Sequence, residues 1–195
     1  MKNSEQIYDT GVIHGRFQVL HNDHLKYLLA GKAHCNKLVV GITNPDPWLT
    51  KIENADPKRS DPLANPLTYY ERHTMVEAAL LEAGIRRHDF TIVPFPINLP
   101  DRYAYYVPMD AVFFLTIYDD WGRRKLQYFK SMGLTTFVLW EVPPHQKGIS
   151  GSEIRCRIVK GQPWEHLVPA CVAPMIESWG IAERLKKLNK ERTGT

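Results

Sequence analysis

Strand and helix patterns alternate along this 195-residue chain, and this alternation restricts its fold more than any other feature. Short apolar runs that predict strands lie at 11–13, 38–42, 90–93, 111–116 and 135–140, with helical patterns between most of them. Such alternation favours a parallel sheet with helices on both faces. We therefore predict a single α/β domain over 1–195, with a helical C-terminal region and flexible ends at about 1–9 and 189–195.

Composition excludes several other classes of protein. Hydrophobic residues make up 44% and charged residues 24% of the chain, which is typical of a globular domain. The net charge of +4 suits a pocket for an anionic small molecule, and no long basic run indicates a nucleic-acid surface. The three cysteines are scattered, and no run approaches transmembrane length. These features predict a cytoplasmic protein that binds neither membranes nor nucleic acids.

The segment from Gly15 to His24 follows the first predicted strand and opens a helix. Gly15 allows a tight backbone path, and the unpaired N–H groups at a helix start are suited to phosphate oxygens. His21 and His24 are three residues apart, so their imidazoles share a face and can donate hydrogen bonds to the same anion. The alternative is that one histidine caps the helix while the other lies on the surface.

A second segment, Ile149 to Arg155, has the same character. Ser150 and Glu153 have the spacing of a capping box, which predicts a helix start. Arg155 then falls near the positive end of the helix dipole, where a bound anion would favour it. A solvated arginine is the alternative. Both segments are expected at the edge of the sheet where strands end and ligands bind.

Together the two segments resemble the nucleotidyltransferase superfamily that carries H-x-G-H and I-S-x-T/S-x-x-R motifs. Within it, the chain is most similar to archaeal-type nicotinamide mononucleotide adenylyltransferases over about residues 10–188. Further matching segments are Gly15-Arg16-Phe17-Gln18, Asn65-Pro66-Leu67-Thr68 with Glu71-Arg72, and Gly161 to Pro169.

The resemblance implies a Rossmann-like sheet and adenylyl transfer from ATP to nicotinamide mononucleotide, a step of NAD biosynthesis. An acceptor phosphate attacks the α-phosphorus directly, with Mg²⁺ shared by the triphosphate and no metal-binding side chains predicted. Many members of the family assemble, so a homo-oligomer is a further expectation. Carried over by position, the predicted catalytic residues are His21, His24 and Arg155, and the predicted nucleotide-binding residues are Gly15, Arg16, Phe17, Gln18, Asp23, Ser150, Gly151 and Ser152.

One position departs from the family pattern: Asp23 replaces the glycine between the two histidines. A carboxylate beside a triphosphate adds like-charge repulsion. Three interpretations remain open. Asp23 turns aside to bond a ribose hydroxyl or Mg²⁺, or it changes the base preference from adenine towards cytosine, or the site has lost its activity.

The acceptor side also differs from the family. Residues 44–66 form a long polar segment, predicted as an active-site loop in which Trp48, Lys51, Lys58 and Arg59 could cover an acceptor phosphate. Asn98 matches the family, whereas Tyr103 replaces a stacking tryptophan. The predicted acceptor-binding residues are therefore Asn98, Tyr103 and Trp48. A solvated loop and a core tyrosine are the alternatives.

Two other groups of side chains have residue types that could form a binding site. The cations Arg123, Arg124 and Lys125 follow a predicted strand and suggest another anion contact, although Asp119 and Asp120 are ordinary helix-start acids. A zinc site built from His14, His21, His24 and His34 is disfavoured, because no cysteine or acid pairing supports it.

The leading prediction is thus an adenylyltransferase that uses ATP and nicotinamide mononucleotide. A cytidylyl- or adenylyltransferase for another phosphorylated metabolite is the alternative within the same chemistry. A nucleotide-binding protein without turnover is the alternative outside it.

Overall fold

The computed structural model describes residues 7–48, 61–146 and 148–193. Its centre is a sheet of five parallel strands in the order β3-β2-β1-β4-β5. The strands are β1 (Tyr8–Gly15), β2 (Cys35–Thr43), β3 (Phe90–Phe95), β4 (Val112–Ile117) and β5 (Thr136–Glu141). The helices are α1 (Asn22–Ala33), α2 (Tyr69–Glu82), α3 (Asp120–Ser131), α4 (Gly151–Lys160), α5 (Val172–Ser178) and α6 (Ile181–Thr193).

Both faces of the sheet are covered, as the alternating pattern predicts. One apolar core joins the sheet to α1, α2 and the C-terminal helices, through residues such as Leu28, Met75 and Ile176. The other joins it to α3 and the 3₁₀ turn at Pro100–Tyr105. The Rossmann-like α/β fold with a helical C-terminal region is therefore confirmed. The strands run outward from β1 to β2 and β3, and the chain then crosses back so that β4 pairs with the other edge of β1. Ligands bind at the carboxyl ends of the strands where the order reverses in this way.

The α2 helix begins with the capping box that its sequence predicts. Thr68 Oγ1 accepts the Glu71 backbone N–H at 3.2 Å, and Glu71 Oε2 accepts the Thr68 N–H at 2.8 Å. Arg184 of α6 donates to both carboxylate oxygens of Glu71 at 2.8 Å, so the cap also anchors the C-terminal region to the rest of the domain.

The helical pattern at about 174–188 predicts one long helix, whereas the structure has two helices there. Gly180 adopts a left-handed conformation (φ 61°) and divides this stretch into α5 and α6. Parts of the two segments that are predicted to be flexible form regular secondary structure: residues 8–9 belong to β1 and residues 189–193 belong to α6. Of the 44–66 segment, 49–60 lie outside the described residues, and with them Lys51, Lys58 and Arg59.

Candidate active site

The first phosphate-binding segment leaves β1 through a tightly packed turn. A Cβ on Gly15 would lie 2.8 Å from Cζ of Phe17, whose ring is completely buried, so only glycine fits at the end of the strand. His21 is the N-cap of α1 and accepts the backbone N–H of His24 on Nδ1 at 3.3 Å. One histidine therefore caps the helix, as the simpler interpretation has it, whereas His24 is only partly exposed and lines a cavity.

The two imidazoles are stacked, with ring centroids 3.6 Å apart and planes 21° from parallel. Burial lowers the pKa of His21 to about 4, against the opposing effect of the Asp23 and Glu153 carboxylates. Burial also lowers the pKa of His24 well below its usual value, and the charges of His21 and Arg16 act in the same direction. Both rings are consequently neutral at pH 7 in the free protein, and each carries one N–H donor.

The lowered pKa of His21 makes folding stability depend on pH. The unfolded chain takes up a proton on this imidazole below pH 6.5, whereas the folded chain does so only near pH 4. Stability should therefore fall as the pH is lowered from 6.5 to 4, by about 3 kcal/mol from this group alone. Urea unfolding from pH 7.5 to 4 measures the loss. The variant His21→Asn, which keeps a capping oxygen, should show a shallower fall, and identical pH profiles would contradict the assignment.

The second segment packs directly against the first. Ser150 caps α4 by accepting the Glu153 N–H at 3.2 Å. Only half of the predicted capping box forms, because the Glu153 carboxylate accepts instead from Arg157 at 2.9 Å. A Cβ on Gly151 would lie 2.5 Å from the carbonyl oxygen of Gln18, so glycine here lets the start of α4 approach the first segment.

Arg155 is the fifth residue of α4 and so lies just past the first turn. Its side chain folds back towards the helix start, as long side chains on helices do. The guanidinium donates to the Gln18 carbonyl and, at 3.1 Å, to Ser152 Oγ. Burial lowers its pKa to about 10, which leaves it a cation at neutral pH.

Asp23 links the two segments. Its Oδ2 accepts the backbone N–H of Ile149 at 2.6 Å. The carboxylate does turn aside from the histidines, but its partner is the polypeptide that precedes α4 rather than a ligand. Gly148 leaves the necessary space, because a Cβ there would lie 2.1 Å from the same Oδ2.

This link predicts a specific pattern of stability changes. Asp23→Ala removes the acceptor, and Gly148→Ala displaces it, so each should lower the free energy of unfolding by about 1–2 kcal/mol. The double variant should lose little more than either single one, since both substitutions break the same bond. Denaturant unfolding of the four proteins measures this coupling. Asp23→Asn, which keeps an acceptor oxygen, is the matched control with a smaller loss, and fully additive losses would contradict the link.

Both segments open into one cavity of about 350 Å³ at the carboxyl edge of the sheet. This size is within the range of small-molecule sites. Its lining includes most of the predicted residues: Gly15, Arg16, Phe17, Gln18, His21, Asp23, His24, Asn98, Ser150, Gly151, Ser152 and Arg155. The side chain of Gln18 is nevertheless occupied elsewhere, since it bonds the Leu67 backbone at 2.9 and 3.1 Å.

Two predicted acceptor contacts are not at the cavity. Tyr103 lies in the core behind β3, with its ring 4.5 Å from that of Phe95 and its hydroxyl donating to the Ile97 carbonyl at 2.6 Å. It is completely buried and therefore cannot stack on a bound ring, so that prediction is wrong. Trp48 is 94% exposed and does not line the cavity.

Arg72 is an important residue to which the sequence reasoning assigned no role. Its buried guanidinium donates to the backbone carbonyls of Arg16, Thr43 and Asn44 at 2.7–3.0 Å, and its Nε donates to that of Thr68. It thereby holds the ends of β1 and β2 to the start of α2. The Glu71-Arg72 match to the family motif was the signal that could have indicated it.

No group of three or more His, Cys, Asp or Glu side chains that could hold an ion occurs among residues 7–48, 61–146 and 148–193. The two cavity carboxylates, Asp23 and Asp119, each accept a backbone N–H. Mg²⁺ bound through the triphosphate therefore stays a prediction.

Comparison with known proteins identifies similar nucleotidyltransferases. A cytidylyltransferase-like family model matches residues 12–157. The chain is 54% identical to a phosphonoformate cytidylyltransferase of Streptomyces viridochromogenes, over 94% of this chain and 99% of that protein. It is 33% identical to a nicotinamide-nucleotide adenylyltransferase of Thermococcus onnurineus, over 91% of this chain and 87% of that protein.

A solved structure extends the comparison to the fold. The bifunctional NMN adenylyltransferase/ADP ribose pyrophosphatase of Francisella tularensis aligns with a TM-score of 0.58 at 16% identity. The alignment covers 83% of this chain but only 45% of that longer one. No helix in the described ranges is both long and apolar enough to span a membrane. With the matched model and the near full-length relatives, the chain belongs to the cytidylyltransferase-like family of nucleotidyltransferases.

Proposed function

We propose that this chain transfers a cytidylyl group from CTP to a small acceptor that carries a phosphonate or phosphate, with phosphonoformate as the first candidate. The observation that carries the proposal is the single cavity in which His21, His24 and Arg155 meet. The choice of base and acceptor is supported by the 54% identity to the Streptomyces enzyme over nearly the whole of both chains.

The chemistry needs no protein nucleophile. An oxygen of the acceptor attacks the α-phosphorus of CTP, the bond from that phosphorus to the bridging oxygen breaks, and pyrophosphate leaves with the electron pair. The negative charge that builds on the pyrophosphate oxygens is stabilised by the N–H donors of His21 and His24 and by the cation of Arg155. A bound Mg²⁺ would neutralise part of the same charge. The protein therefore contributes positioning and electrostatic stabilisation.

Adenylyl transfer to nicotinamide mononucleotide is the second candidate. The relatives at about 33% identity favour it, as does the position of Asn98 at the cavity. The burial of Tyr103 argues against it, because this residue was the predicted stacking partner of the nicotinamide ring. A smaller acceptor needs no such partner.

Pyrophosphate release tests the proposal. Each of the four nucleoside triphosphates is mixed with phosphonoformate, other small phosphonates and phosphates, or nicotinamide mononucleotide, in the presence of Mg²⁺. We expect turnover with CTP and a small acceptor. Turnover only with ATP and nicotinamide mononucleotide would replace the proposal by the second candidate, and nucleotide binding without turnover in any mixture would refute both.

A further inference from the structure

His14 is a buried histidine that the proposed phosphate chemistry does not use. It shares a face of β1 with Val12, which belongs to the apolar core against α3. The imidazole is 6% exposed and lies between two phenylalanine rings, 5.7 Å from Phe95 and 5.5 Å from Phe129 between centroids. An apolar side chain would suit these surroundings better.

Neither ring nitrogen of His14 has a hydrogen-bond partner within the described part of the chain. Burying a polar group without a partner costs stability, so folding does not account for a histidine at this position. His14 also lines the cavity. A buried polar group that is costly in the free protein and borders a cavity is explained by a ligand that enters far enough to supply the missing partner.

The neighbours of His14 in the cavity indicate the charge of that ligand. Lys125 of α3 and Asn98 both line the cavity with it. Burial lowers the pKa of His14 well below its usual value, and the charge of Lys125 lowers it further, so the neutral ring offers one N–H. An ammonium, an amide and an imidazole N–H together form a donor set for a small anion.

We propose that His14, Lys125 and Asn98 form the subsite for a small dianionic acceptor. They bind the acidic group that does not attack, for example the carboxylate of phosphonoformate, and so direct the phosphonate towards the α-phosphorus. The assignment rests on the proposed function for the identity of the acceptor. Ile97 lines the cavity, and the Tyr103 hydroxyl donates to the Ile97 carbonyl from the core behind it. Because Tyr103 fills the space behind the cavity wall, the site favours a compact acceptor over one with a ring.

Substitution of His14 by methionine tests the subsite. In His14→Met we expect the KM for phosphonoformate to rise at least ~10-fold, while the KM for CTP stays within ~3-fold. The melting temperature should be unchanged or higher, because a buried unpartnered polar group is removed. A purely structural histidine would give the opposite result, namely a lower melting temperature with an unchanged KM for the acceptor, and that result would overturn the inference.

His34→Met is the matched control. The His34 ring also packs against two phenylalanines, Phe114 and Phe137, but does not line the cavity. Its replacement should leave both KM values unchanged. Lys125→Met should raise the KM for the acceptor in the same way as His14→Met, whereas Lys130→Met at the exposed end of α3 should not.

A binding measurement separates this inference from the proposed function. The His14 imidazole resonance, assigned by its loss in His14→Met, is followed by NMR as phosphonoformate is added to the protein saturated with α,β-methylene-CTP. We expect it to shift. A resonance that does not move at saturating phosphonoformate overturns the subsite even if cytidylyl transfer is observed. A shift without turnover under the assay conditions keeps the subsite and refutes the proposed reaction.

Discussion

Replacing His24 by alanine is expected to lower kcat for nucleotidyl transfer by ~10²-fold or more, the usual effect of removing a donor that stabilises transition-state charge. His24 is the histidine that the resemblance to the H-x-G-H family favours for this role, since it holds the second histidine position of that motif. Nδ1 of His24 is buried without a hydrogen-bond partner among the described residues, while the Val19 backbone interacts with the ring. Steady-state pyrophosphate release with CTP and the acceptor measures the loss.

The His24 variant needs evidence that its fold is intact. His73 provides a matched control, since it is also a helical histidine but lies on α2 away from the cavity lining. His73→Ala should retain kcat within ~2-fold. The circular dichroism and melting temperature of His24→Ala should stay close to those of the wild type. A kcat within ~3-fold of wild type would remove His24 from the proposed chemistry.

Replacing Arg155 by alanine should lower kcat/KM for CTP by at least ~10²-fold, through the loss of a cation that is buried beside both phosphate segments. Arg155→Lys keeps the charge but cannot donate through two nitrogens at once, so an intermediate loss of ~10-fold is expected. Initial rates at subsaturating CTP give the ratio directly. Loss of the bond to the Gln18 carbonyl should also cost some stability, which denaturant unfolding records separately.

Arg157 is the control for Arg155 on the same helix. Its guanidinium faces away from the cavity and bonds Glu153 and the Pro163 carbonyl. Arg157→Ala should leave kcat/KM within ~2-fold of the wild type. Equal losses in the two variants would indicate a general effect of charge on α4 and would contradict a specific role for Arg155.

Much of the fold could be predicted because its signals are local. The apolar runs of the five strands and the Thr68 cap depend on residues a few positions apart, and they appear where the sequence predicts them. The capping box at Ser150 is only half formed, because the Glu153 carboxylate bonds Arg157, one turn further along α4. The division into α5 and α6 depends on the conformation of Gly180, which a helical periodicity does not reveal.

The placement of the phosphate-binding segments at one cavity could be predicted, whereas the contacts of two other predicted site residues could not. His21 and Arg155 belong to segments whose position follows from strand-to-helix connections. Gln18 and Tyr103 instead have backbone partners that only the folded chain reveals: Leu67 for Gln18 and the Ile97 carbonyl for Tyr103. For His14 the sequence suggests only a disfavoured zinc site, because its burial between two phenylalanines depends on the packing of α3 against the sheet.

The contact between Asp23 and Gly148 also has a consequence for reading related sequences. The two positions are 125 residues apart, yet the carboxylate of one occupies the volume that a side chain on the other would need. We therefore expect them to vary as a pair: chains with an acid at the first position should have glycine at the second, whereas chains with glycine at the first are free to have larger residues there. A two-letter signature of this kind would separate subgroups of the family in genome sequences before any substrate is known.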